Sequence, residues 1–137
     1  MSERGGLRNV ATVVIIAAAG GFIASLFIAW SRGFPHQSPF QFFSRADVMF
    51  LAVAVVAIAL TLLDFTIEDK RWLPLAGLLG LFPLGFVSVQ VIEVPTFTRD
   101  HFAIGMWLAF GSSLVWAVGG VLALASLEVG RIGAPSR

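Results

Sequence analysis

The chain has 137 residues, 58% of them hydrophobic and 12% charged, with nine Lys and Arg against eight Asp and Glu for a net charge of +1. Ordinary soluble domains carry about 25% charged residues. Half that charge cannot cover a water-soluble globule, so a soluble enzyme is close to excluded, and disorder fails for the same reason. The near-neutral balance carries no polybasic signature for nucleic acid. Zero cysteines remove disulfides, thiolate metal sites and Cys nucleophiles together.

Four stretches lack Asp, Glu, Lys, Arg and His: Val10–Trp30, Val48–Leu63, Trp72–Ile92 and Phe102–Leu127. A helix rising about 1.5 Å per residue needs roughly 20 residues to cross the hydrocarbon layer. The first, third and fourth stretches reach that length unaided. The second is extended by a capping box, Ser44-Arg45-Ala46-Asp47, and by Asp64 and Phe65 at its far end. Alternating polar positions for a closed barrel are absent, so helices are the remaining way to span lipid. The expected fold is all-α: a polytopic membrane protein, one up-down bundle of four transmembrane helices with short loops. Its single membrane domain covers residues 1–137, with spans at about 10–30, 44–65, 72–92 and 102–127.

In the first span the apolar run continues past Ala17-Ala18-Ala19, which points to an uncleaved anchor rather than a signal peptide. Lys and Arg set the orientation. Arg4, Arg8, Lys70, Arg71, Arg131 and Arg137 fall on one side, against Arg32, Arg45 and Arg99 on the other. Six against three places both termini in the cytoplasm. Pro74 suits the first turn of the third helix, Pro83 is expected to kink it, and Pro95 to end it. Thr98 can cap the fourth helix with Asp100 beside its positive end, and Gly130 sits where that helix is expected to stop.

Candidate functional residues are few. The span interiors hold no charge, and Ser25, Thr61, Ser88, Gln90, Ser112 and Ser113 are their main polar side chains. Hydroxyls can return to the carbonyl one turn earlier, so plain packing accounts for the Ser and Thr. Asp64 reads as a helix-end carboxylate beside Lys70 and Arg71, or else as a gate at the inner mouth. His36, His101, Glu93 and Asp100 share the outer side and are weak candidates for a metal. They lack the H-x-x-x-H or E-x-x-H spacing of a built site, so no metal and no cofactor is expected.

The outer loop between the first two spans carries Phe34, Phe40, Phe42 and Phe43. This is too many for a freely solvated loop, and they are candidates for contact with a partner or with lipid. Mid-span Trp116 is another, because its indole N–H needs an acceptor such as Ser112, Ser113 or a neighbouring protein. Small residues recur at every fourth position: Ala17, Gly21, Ser25 and Ala29 in the first span, and Gly105, Ala109, Ser113 and Ala117 in the fourth. Such stripes let helices approach closely in lipid. Trp30, Trp72 and Trp107 fall near the expected interfaces.

Together these features fit a non-catalytic integral membrane subunit or scaffold, packing with other membrane proteins or with itself in the lipid bilayer. The alternative is a small oligomeric transporter or channel, because four helices with no charged lining make a poor pore alone. An enzyme acting through the outer His and carboxylates is the least supported class.

Overall fold

The computed structural model describes residues 3–28, 46–66, 71–93 and 104–132. Among them are five helices and no strand: α1 (Glu3–Phe27), α2 (Ala46–Thr66), α3 (Trp72–Leu78), α4 (Leu81–Glu93) and α5 (Ile104–Ile132). The α3–α4 pair forms one limb, so the fold is a bundle of four helical limbs. Side by side they run α1, α2, α3–α4, α5 and back to α1, and the α1–α5 interface is the most extensive.

Neighbouring limbs are antiparallel. Arg8 at the start of α1 meets Asp64 near the end of α2, while Phe22 near the end of α1 meets Phe50 near the start of α2. On α5, Gly119 lies against Ile15 and Ser112 against Gly21. The beginning of α1, the end of α2, the beginning of α3 and the end of α5 therefore share one end of the bundle.

Gly6–Phe27, Trp72–Val89 and Ile104–Val129 are long and apolar enough to cross a membrane. The apolar stretch of α2, Val48–Asp64, is shorter, although the whole 21-residue helix rises about 31 Å. The outward faces are as apolar as the inside, with Val13, Ile92, Ile104 and Val121 each more than three-fifths exposed. Water would penalise such a surface, and lipid does not. The chain belongs in a membrane.

Burial follows a three-four spacing on every long helix. The buried positions include Ala11, Ile15, Ala18, Phe22 and Ser25 on α1, Phe50, Ala54, Ala57 and Thr61 on α2, and Ala109, Ser113, Trp116, Gly120 and Ala123 on α5. That alternation keeps one seam facing the bundle axis, as knobs-into-holes packing requires. Some boundaries differ from the sequence expectation. Helix α1 starts two turns before the apolar run, carrying Arg8 into the bundle, and α5 continues through Gly130 to Ile132. A glycine weakens a helix by only about 1 kcal/mol, so it need not end one. Ser44 and Arg45 of the capping box, Pro95 and Thr98 lie outside the described residues.

The third limb departs further. Pro83 lies in the first turn of α4, and the chain breaks ahead of it at Leu79-Gly80 rather than bending about Pro83. Proline has no N–H, and its ring crowds the carbonyl four residues earlier, here that of Leu79. The backbone tightens there. Gly80 N donates to Gly77 O (3.0 Å) and Phe82 N to Leu79 O (3.3 Å), before Leu84 N resumes regular spacing on Gly80 O (3.1 Å). With Gly80 N turned to Gly77, the carbonyl of Ala76 is released from its usual intrahelical donor.

Candidate functional site

Trp116 takes up that carbonyl. Its Nε1 donates to Ala76 O at 2.9 Å, and the side chain is fully buried. This corrects the expectation that Trp116 faces a partner or lipid, or bonds Ser112 or Ser113. The serine route is closed because the single indole N–H is spent on Ala76, while Ser113 turns its own hydroxyl to the carbonyl of Ala109 in its own helix. Gly80 makes room for the ring: a Cβ there would sit 2.5 Å from Trp116 Cγ.

From Trp116 an aromatic chain crosses the bundle. Trp116 and Phe22 have ring centroids 6.2 Å apart, Phe22 meets Phe50 edge-on at 6.2 Å, and Phe50 meets Phe86 at 4.8 Å and Phe82 at 5.5 Å. Edge-on and tilted pairs at these distances are attractive beyond simple burial. The chain ties α5, α1, α2 and α4 together through the interior of the bundle.

The small-residue stripes prove to be mixed. Ser25, Gly105, Ala109 and Ser113 are buried, Gly21 and Ala117 are half-buried, and Ala17 is exposed. Ala29 lies outside the described residues. A strict four-residue step advances 40° beyond each full turn of a 3.6-residue helix, so a long stripe slides off the buried seam. A Cβ on Gly21 would lie 2.8 Å from Ser112 Oγ, and the other close contacts use glycines outside the stripes. A Cβ on Gly77 would lie 2.2 Å from Gly120 Cα, and one on Gly119 would lie 2.8 Å from Ile15 Cγ1. The adjacent Gly119 and Gly120 thus let α1 and α3 approach α5 on two sides. Two neighbouring glycines inside an apolar span were the available signal.

The interior hydroxyls are satisfied locally. Ser25 donates to Phe22 O (2.6 Å), Thr61 to Ala57 O (2.8 Å) and Ser126 to Ala123 O (2.7 Å). The strongest polar contact joins α1 to α2. Arg8 Nη2 and Nε donate to the same Asp64 oxygen, Oδ2, at 2.6 and 3.2 Å. The Asp64 side chain is 6% exposed and that of Arg8 27%. The sequence placed Asp64 beside Lys70 and Arg71, whereas its bonded cation comes from 56 residues away. Among the described residues, two buried side-chain polar atoms lack a hydrogen-bond partner, Asp64 Oδ1 and Trp72 Nε1.

Phe34, Phe40, Phe42, Phe43, His36, His101 and Asp100 lie outside the described residues, and Glu93 is placed by its backbone alone, at the end of α4. Among the described residues no group of three or more His, Cys, Asp or Glu could hold a metal ion. An outward groove of about 260 Å³ is lined by Gly77, Leu78, Leu81, Leu114, Val118 and Val121, among other apolar residues.

The geometry defines an integral membrane helical bundle closed by its own aromatic side chains. No protein-family description, curated protein or solved structure matches the chain.

Proposed function

We propose that the chain is a non-catalytic integral membrane subunit or scaffold whose work is to pack against partner membrane proteins or copies of itself. The observation that supports this reading is the filled interior. Trp116, Phe22 and Phe50 are buried in the core, and the hydroxyls of Ser25, Thr61 and Ser113 are spent on their own helices. Among the described residues, such packing offers a solute neither a polar path nor a set of catalytic groups. What it offers outward is a broad apolar surface.

A small oligomeric transporter or channel is the second reading. The buried Asp64 carboxylate and the broken third limb favour it, since both are features of membrane transport sites.

Purification of the full chain in mild detergent separates the two. A scaffold recovers a stoichiometric membrane protein partner or a defined homo-oligomer. Changing Phe40, Phe42 and Phe43 to Ser then lowers that recovery while leaving the melting temperature of the isolated chain almost unchanged. A proton or ion conductance in liposomes that Asp64→Asn abolishes would overturn the scaffold reading and establish the other.

A further inference from the structure

The two unpartnered polar atoms share one end of the bundle. Asp64 lies near the end of α2, and Trp72 opens α3, the next helix in the ring and packed against α2. Arg8 places its Nε and Nη2 on Oδ2, which leaves Oδ1 buried with its lone pairs unused. A carboxylate oxygen only accepts, and an indole N–H only donates. Either atom left bare in an apolar setting is costly. Trp116 shows the alternative in the same molecule, having found a carbonyl at 2.9 Å.

The chemistry of an occupant follows from these groups. The Arg8 counter-charge leaves the carboxylate pair neutral, so the pair calls for neither a free cation nor an anion. Oδ1 needs a donor and Nε1 needs an acceptor, and a hydroxyl group is both. The position suits an interfacial source, because the apolar stretch of α2 ends at Asp64 and that of the third limb begins at Trp72. Tryptophans at this depth commonly turn their N–H toward the headgroup layer.

We propose that this end of the bundle binds a hydroxyl-bearing ligand, its O–H donated to Asp64 Oδ1 and its oxygen accepting from Trp72 Nε1. A lipid headgroup with a free glycerol, or a water molecule, carries that chemistry.

The test uses the full chain labelled with ¹⁵N at its Trp indoles, in nanodiscs of phosphatidylcholine or of phosphatidylglycerol with the same acyl chains. Trp72→Phe identifies the Trp72 signal. A lipid hydroxyl shifts that signal in phosphatidylglycerol only, and Trp72→Phe weakens retention of that lipid about two- to tenfold, the loss of one hydrogen bond. Water instead gives a cross-peak from the Trp72 indole proton to water in both membranes. In either case Asp64→Asn moves the Trp72 signal while the Trp116 signal, held by Ala76, stays in place. A Trp72 signal identical in both lipids, without a water cross-peak and indifferent to Asp64→Asn, overturns the proposal. Should Asp64→Asn disturb Trp116 as well, the Trp72→Phe comparison decides: unchanged lipid retention, with no water cross-peak in the parent chain, is the overturning result.

Discussion

The indole N–H of Trp116 on α5 bonds the carbonyl of Ala76 on α3, 2.9 Å away, at the place where the third limb gives up its own hydrogen bond. Gly80 N has turned to Gly77 O one turn ahead of Pro83, Gly80 opens space for the ring, and Trp116 satisfies the freed oxygen. Trp116→Phe keeps most of the buried ring but leaves Ala76 O bare, so unfolding in detergent should come about 1–3 kcal/mol easier. Trp116→Ala adds a cavity and should cost about 3–5 kcal/mol. A Trp116→Phe variant as stable as the parent chain would show that the hydrogen bond contributes nothing.

Gly77 and Gly120 touch backbone to backbone. Gly77→Ala should push α3 away from α5 and lower the melting temperature sharply, because no flexible side chain is there to yield. Gly20 on α1 is the matched control, since a Cβ there meets nothing within 4 Å. Gly20→Ala should be neutral or stabilise the isolated bundle by up to about 1 kcal/mol through helix propensity. Thermal melts of both variants in one detergent check the pair.

Removing one partner of a buried ion pair strands the other, at about 3–5 kcal/mol for full burial. Arg8 is 27% exposed, so the cost of Asp64→Leu should lie at or below the lower end of that range. The double variant Arg8→Met with Asp64→Leu should regain most of the loss, because an apolar pair has no unmet charge. A double-mutant cycle by denaturant unfolding measures this, and simple additivity would show that the two residues do not act together.

The start of α1 and the end of α5 lie at one end of the bundle, together with the ends of α2 and α3 that flank Lys70 and Arg71. The Lys and Arg bias then predicts that both termini face the cytoplasm. Reporter fusions at each terminus should agree with one another. A C-terminal reporter active only outside would reverse the orientation.

Composition and charge-free run length were enough to determine the number of limbs, their helical character and their preference for lipid, because hydrocarbon leaves the backbone no unpaired alternative. The short connections also made neighbouring limbs antiparallel. The local fate of the hydroxyls of Ser25, Thr61 and Ser113 was legible too, since each needs only a carbonyl one turn away in its own helix. Partners distant in sequence were not legible. Nothing near Asp64 points to Arg8, 56 residues earlier, while Lys70 and Arg71 stand much closer along the chain. Nor does Trp116 itself name Ala76, because that carbonyl becomes free to accept only once Gly80 N has turned to Gly77 O. The four-residue stripes hold the seam at Ser25, Gly105, Ala109 and Ser113 but leave it at Ala17, and Gly119 and Gly120, outside them, make close contacts that the stripes do not mark. Periodicity states which residues share a face. Only packing decides which face turns inward and which glycine meets a neighbouring backbone.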